Sequence, residues 1–339
     1  MGRNLVLADC VKEELNEFIN AIRSEGVDIE CYSVISNGGR TSRFSNLGRY
    51  FKYFSVPFTI FRHRKEYDYL VGWQQFYALN FCFWCALFHV KKVNKVFAVN
   101  FTYKKKSGFV GKIYKWYMKK CICTEYIDYL HVPSPNYAKI TSEEFNIPIE
   151  KFVVAPFGID DKMDQYGNLE FPNRAPSDKY VLSIGRSNRD YDFLVDVWRE
   201  IETDLVIISD EYKRQDLPKN VTLINDVSGE EQYPWISNCA ALIIPIDDVT
   251  ICSGDTVLLT AMSLAKTIFV THPSTLSEMY VTDKVDAILI NKDVEQTRHI
   301  INEHLQGDTQ NSIGKSARET FIDKFSRYAM GKNVAAYLK

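Results

Sequence analysis

No stretch of the 339 residues is apolar for long enough to cross a bilayer. A spanning helix needs about 20 such residues. The longest run, residues 76–90, is interrupted by Asn80 and ends at His89, so we read it as a mostly buried helix. A phosphate-cradling Gly-x-x-x-x-Gly-Lys loop is missing, and so is the dinucleotide fingerprint Gly-x-Gly-x-x-Gly. Neither sign of charge is in excess: the net charge is −2, which argues against a general nucleic-acid binder. The eight cysteines lack the even, close spacing of a disulfide scaffold, and reduced thiols of a cytosolic protein are expected. Cys82-x2-Cys85 and Cys121-x-Cys123 read as buried thiols, because free Cys packs as a small hydrophobe; no metal site is expected. Near the amino end the apolar residues 5–8 are too few for a signal-peptide core, and position 6 holds no Ser or Thr for myristoylation.

What is present is alternation. Residues 4–8 form an apolar run. Residues 12–23 carry Leu15, Phe18, Ile19 and Ile22 at helical spacing, and residues 29–35 read as a second strand. This β-α-β opening builds parallel sheets. Further strands are expected at 67–73, 95–101, 129–133 and 151–156, with helices at 74–88 and 136–145. Residues 161–178 hold Gly167, Pro172 and Pro176 with little apolar period, and read as a linker. The alternation then restarts. Strands are expected at 180–184, 205–208, 221–224, 241–245, 267–271 and 287–290, and helices at 193–201, 230–237, 256–265 and 294–305. Residues 313–338 read as one or two further helices. The length suits two cores rather than one. The expected fold class is α/β, with two Rossmann-like, doubly wound parallel-sheet domains facing a cleft: 1–160, a linker at 161–178, 179–320, and a terminal helix at 321–339 crossing back to the first domain.

Two segments carry chemistry. Ser183-Ile184-Gly185-Arg186 follows a strand; the glycine lets backbone approach a phosphate, and the arginine offers a planar fork for its oxygens. Cys252-Ser253-Gly254-Asp255-Thr256 opens a helix, whose free N–H groups and dipole favour an anion. Ser253 or Asp255 as an ordinary helix cap is the competing reading. Together the segments are a way to hold a diphosphate without a Walker lysine.

Residues 181–186 resemble the Gly-Arg strand end of family 4 retaining glycosyltransferases of the GT-B fold. His131-Val132-Pro133-Ser134, then 145–151 and 154–160, are similar to that family's close of the first domain. Asn220-Val221-Thr222-Leu223-Ile224 with Asp226-Val227-Ser228 resembles its turn near the donor base, and residues 259–268 its helix after the donor loop. The resemblance covers most of residues 130–290. It implies a nucleotide-diphosphate sugar on the second domain, with Arg186 stabilising the leaving diphosphate. Gly185, Ser253, Gly254, Asp255 and Thr256 would lie around the donor, with Asp226 and Val227 at its base, and no metal or other cofactor would be required. The family's Glu-x7-Glu positions fall on Cys252 and Thr260, leaving Thr260 a weaker ribose contact. The lysine usual after Gly-Arg is missing; Arg189 is its candidate substitute, and Asp248 a candidate for a sugar or ribose contact.

The acceptor is expected on the first domain, with Asn100, Thr102 and Tyr103 at a strand end as candidate contacts. Residues 91–120 carry ten lysines and no acid, interleaved with aromatics. Lys104, Lys105, Lys106, Lys112, Lys115, Trp116, Lys119 and Lys120 suit an anionic membrane surface; a solvated face and nucleic acid are the other readings, and nucleic acid is not expected as a partner. The function read from the sequence is transfer of a hexosyl group, with retention, to a saccharide or lipid-linked saccharide in polysaccharide or glycolipid assembly. The site of action is the cytoplasmic, inner face of a membrane. A sugar-nucleotide epimerase and a non-catalytic partner subunit are the alternatives.

Overall fold

A computed structural model describes residues 2–34, 43–132, 134–249, 251, 253–306 and 309–339. Residue 35 at the expected end of the second strand, Pro133 and Cys252 lie outside the described residues. The chain divides into two compact units, Met1–Phe157 with Arg327–Lys339, and Gly158–Ser326.

The first unit is built on six strands: β1 (Arg3–Ala8), β2 (Glu30–Ser33), β3 (Tyr67–Gly72), β4 (Lys95–Ala98), β5 (Tyr129–Val132) and β6 (Phe152–Val154). They run parallel in the order β2-β1-β3-β4-β5-β6. Its helices are α1 (Asn16–Ser24), α2 (Arg43–Arg62), α3 (Gln75–Leu87), α4 (Gly108–Ile122) and α5 (Pro135–Phe145). Side chains of a strand alternate between faces, and both faces are buried. Leu5 and Leu7 of β1 join one apolar cluster with α3, whereas Val6 and Ala8 join another with Phe18 and Ile22 of α1. Helices α2 and α4 were not legible as helices. Pro57 inside α2 reads as a break, and the Lys-aromatic interleaving of α4 hides the period of its buried Gly111, Met118, Cys121 and Ile122. Asn80, fully buried in α3, ties the three helices: its Nδ2 donates to the Tyr53 carbonyl at 2.8 Å, and its Oδ1 accepts from Tyr117 Oη at 2.6 Å. That pairing is what makes a buried amide tolerable.

The second unit opens with a short helix, α6 (Met163–Tyr166). Its strands are β7 (Tyr180–Ile184), β8 (Asp204–Ile208), β9 (Val221–Ile224), β10 (Ala241–Ile244), β11 (Thr267–Thr271) and β12 (Ile288–Ile290), again parallel, in the order β12-β11-β10-β7-β8-β9. The helices after α6 are α7 (Tyr191–Trp198), α8 (Tyr233–Asn238), α9 (Asp255–Ser263), α10 (Thr275–Tyr280), α11 (Val294–Gln306) and α12 (Thr309–Thr320). Counted within each unit, the strand orders are 2-1-3-4-5-6 and 3-2-1-4-5-6. Such sheets open a crevice at the carboxyl ends of their strands where the winding reverses. That point falls between β1 and β3 in the first sheet and between β7 and β10 in the second.

The segment expected as a linker, 161–178, is packed into the second unit. Ser237 Oγ donates to the Gly167 carbonyl at 3.0 Å, and Asn238 Nδ2 to those of Leu169 and Glu170 at 3.2 Å. Asp161 is held by Arg318 at 2.8 Å and by Ser263 Oγ at 3.0 Å. After α12 the chain continues through a wide helical turn, Phe321–Phe325, and ends in α13 (Arg327–Ala335), which belongs to the first unit and packs on α1. Gly331 sits where a Cβ would lie 2.5 Å from the Phe18 carbonyl oxygen; the two helices meet that closely only because it has none.

Candidate functional site

In the second unit the loops that follow β7 and β10, the two strands flanking the reversal point, are fastened to each other. Arg189 bridges Ile246, and the Asp190 N–H donates to the Pro245 carbonyl at 2.9 Å. Asn188, in the left-handed region at φ 57°, exchanges two hydrogen bonds with the backbone of Asp248, at 2.7 and 3.0 Å. Asp190 then caps α7, accepting from Phe193 N at 3.1 Å. Lys292, just past β12, bonds Asp190 at 2.6 Å and the Asp247 carbonyl at 3.2 Å. Nothing in the sequence pattern marks that lysine.

This bracing decides which arginine reaches the phosphate-type loops. Arg186, next to the strand-end glycine, turns outward; two-thirds of its side chain is exposed, and it makes a two-pronged pair with Asp210 at 3.0–3.1 Å. Arg189 is tucked in. A Cβ added at Gly185 (φ 149°) would lie 2.8 Å from its Nε and Nη2, and one at Gly254 (φ 96°) 2.8 Å from Nη2. Both glycines therefore form the walls against which this guanidinium packs. Its Nη1 donates to the carbonyls of Ser187 and Asn188 and, at 3.4 Å, to Ser253 Oγ. Its Nε is buried with no hydrogen-bond partner, and no carboxylate forms an ion pair with it among the described residues. Burial holds its pKa below the ordinary value, with Tyr191 and Asp255 opposing.

The start of α9 is open. Its cap is Gly254, which contributes no side-chain bond, so Ser253 and Asp255 are not the cap. The first intrahelical bond is Leu258 N–H to the Gly254 carbonyl at 2.8 Å, leaving the N–H groups of 255–257 without intrahelical partners. Thr256 is exposed beside them. An open helix end next to a buried guanidinium with no carboxylate in ion-pair contact is the make-up that suits an anion.

Of the remaining expected donor residues, Asp248 is held beside Arg189 through its bonds to Asn188. Asp226 is exposed and taken by Arg174 Nη1, at 2.9 and 3.0 Å, and Val227 is half-buried next to it. Asp248 is exposed on the loop above β10. Thr260, expected at the ribose, departs from that expectation: it is buried, further along α9 than the open first turn.

In the first unit Asn100 (φ 53°) follows β4, and its N–H donates to Nδ1 of the fully buried His131 at 3.1 Å. Thr102 is exposed and exchanges two hydrogen bonds of 3.0 Å with the Gln75 amide. Tyr103 packs inward, stacked on Tyr114 and edge-on to Phe145.

Two comparisons by sequence are silent: no family model matches the chain, and no curated protein matches it. Solved structures do match, over 99% of its length. They include a glycosyltransferase from Rickettsia africae ESF-5 (TM-score 0.65, 14% identity, 98% of that chain) and HepE from Anabaena in complex with UDP (0.62, 12%, 99%). A third is WaaG, a glycosyltransferase involved in lipopolysaccharide biosynthesis (0.59, 13%, 99%).

The chain has the GT-B fold.

Within this GT-B chain the lysine-rich stretch resolves into a helix with an outward apolar arc. Phe109, Val110, Ile113 and Trp116 of α4 are exposed, with Lys112, Lys119 and Lys120 exposed around them. Lys104, Lys105 and Lys106 precede the helix and are exposed, Lys106 lying 4.6 Å from the Tyr114 ring and Lys105 3.5 Å from Glu144. Lys115 is half-buried and shares Glu144 of α5 with Lys105. No described helix is long and apolar enough to cross a membrane, and no described cluster of His, Cys, Asp or Glu has the make-up of a metal site.

Proposed function

We propose that this chain is a glycosyltransferase whose second unit holds a nucleoside-diphosphate sugar and whose first unit presents a saccharide or lipid-linked saccharide hydroxyl. The observation that carries the reading is the Arg189 guanidinium packed between Gly185 and Gly254 at the open end of α9, at the reversal point of a nucleotide-type sheet. In glycosyl transfer the acceptor oxygen bonds to the anomeric carbon as the carbon–oxygen bond to the diphosphate breaks. Negative charge then grows on the departing diphosphate. A fixed guanidinium and amide N–H groups aimed there stabilise that charge without reorganising, so neither a metal nor another cofactor is needed in this reading. With the acceptor proton passing to the departing diphosphate on the same face, the transferred hexosyl group keeps its configuration, as the family resemblance implies.

HepE has been solved with UDP and with UDP-glucose, which makes these the first probes. UDP is expected to raise the melting temperature, since a ligand that binds only the folded state stabilises it by mass action. No shift with UDP or with any other nucleoside diphosphate would move the assignment to a non-catalytic partner subunit.

The reading places the chain at the inner face of a membrane, in polysaccharide or glycolipid assembly. Exposed aromatics amid lysines on α4 support it. Co-sedimentation with phosphatidylglycerol vesicles is expected to exceed that with phosphatidylcholine vesicles. Reversing Lys112, Lys119 and Lys120 to Glu should weaken it by about 1 kcal/mol or more per lysine. Equal binding to both vesicle types would remove the membrane assignment.

A further inference from the structure

The first sheet has its own reversal point, between β1 and β3. The residue that leaves β1 there is Asp9, and the residue that opens α3 after β3 is Gln74. Asp9 Oδ2 accepts from Tyr53 Oη at 2.8 Å and from Gln74 Nε2 at 3.1 Å; the same Nε2 lies 3.2 Å from Tyr53 Oη. Gln74 is fixed from its other end, because its Oε1 accepts from Phe76 N at 3.4 Å. The carboxylate is thus locked in orientation by two neutral donors. It is half-buried, it has no cationic partner within ion-pair distance among the described residues, and its Oδ1 accepts no hydrogen bond from any of them.

Further along the carboxyl edge, past β3, the end of β4 extends the ledge. Thr102 Oγ1 accepts from Gln75 Nε2, which leaves its own proton to donate outward. The side chain of Asn100 makes no hydrogen bond with the described residues, and its backbone is pinned by His131. The edge therefore offers one fixed carboxylate oxygen, one hydroxyl proton and one carboxamide, from the ends of β1 and β4. The hydroxyls of a sugar have the complementary donors and acceptors. An anionic group placed against the Asp9 oxygen has not, since Asp9 repels it.

We propose that Asp9 and Thr102, with Asn100, bind hydroxyls of the acceptor, and that the group held at Asp9 is an uncharged sugar. This rests on the transferase reading above. Tyr53 and Gln74 act through Asp9 as positioning residues.

The test measures UDP release from UDP-glucose in the presence of p-nitrophenyl glycosides, neutral hexosides against the glucuronide. The wild-type protein is expected to prefer a neutral hexoside. Asp9→Asn is expected to raise the KM for that hexoside about 10- to 100-fold, the range of one hydrogen bond to a charged group, and Thr102→Val to raise it in the same direction. The melting-temperature rise with UDP should be unchanged in both variants, which also reports that they fold. An unaltered hexoside KM in Asp9→Asn and Thr102→Val overturns the proposal. So does a wild-type preference for the glucuronide, or UDP release that no neutral hexoside accelerates. Absence of any UDP effect on the wild-type melting temperature would instead overturn the transferase reading, and is separately visible.

Discussion

Arg189→Ala is expected to lower turnover of the nucleotide sugar by about 100- to 1,000-fold, the usual cost of removing one fixed donor from a developing oxyanion. It should also abolish most of the thermal stabilisation by UDP. Arg186→Ala, the substitution that the Gly-Arg motif itself invites, should change both by no more than about twofold, as exposed surface positions do. The difference follows from packing. Arg186 is exposed and already engaged by Asp210, whereas Arg189 has glycine walls, a buried Nε and no ion pair with a carboxylate among the described residues. Arg189→Lys keeps the charge but not the planar fork, so an intermediate loss is expected. Measuring UDP binding and turnover in the three variants decides the matter; a loss confined to Arg186→Ala would return the role to that residue.

The second large effect is on stability against pH. Burial pushes the His131 imidazole down to about 4 from its ordinary 6.5, with the carbonyls of Pro156 and Ala155 pulling weakly the other way. Below pH 6.5 the unfolded chain takes up this proton while the folded chain does not, so stability falls as the pH falls. The full contribution is present above 6.5. It is lost progressively down to about pH 4, about 3 kcal/mol in all, with about 2 kcal/mol gone by pH 5. Urea unfolding at pH 7.5 and pH 5 reads it, with His131→Gln as the comparison. The wild-type protein should lose about 2 kcal/mol more than the variant over that interval, and equal losses would refute the assignment. Protonation also removes the Nδ1 lone pair that accepts from Asn100 N–H. In the folded chain that happens only as the pH nears 4, where the strand end on which the acceptor ledge depends should loosen.

The strands were legible in the sequence because apolar runs of four to six residues between turn residues have few other readings. Helix α2 was not, since Pro57 and a crowd of aromatics break the ordinary helical signature. The proposed donor site was half legible. Gly185 and Gly254 stand at strand-turn and turn-helix junctions where a motif points to them. Which arginine fills the space between them depends on a left-handed Asn188 and on a bridge from Arg189 to Ile246, and these are facts of three-dimensional bracing. The setting of Thr260 was hidden for the same reason: spacing along the sequence placed it at the ribose, and only the turn of α9 shows its side chain buried. Asp9 carried no signal at all, being one acid among 43 acidic residues. Its significance comes from sheet order, which brings the ends of β1 and β3 together.

The route of the chain also sets a timetable for its synthesis. The core of the first unit includes Met330, Val334, Ala335 and Leu338, packed with Leu15, Phe18 and Ile22, yet the whole of Gly158–Ser326 is made between them. On the ribosome the second unit has every strand of its sheet before the first has all of its core. A chain that stopped at Ser326 would keep the whole second unit beside a first unit whose α1 flank is bare apolar surface, which is the kind of surface that aggregates or recruits chaperones. Two segments far apart in translation time are thus jointly responsible for the half of the protein proposed to choose the acceptor.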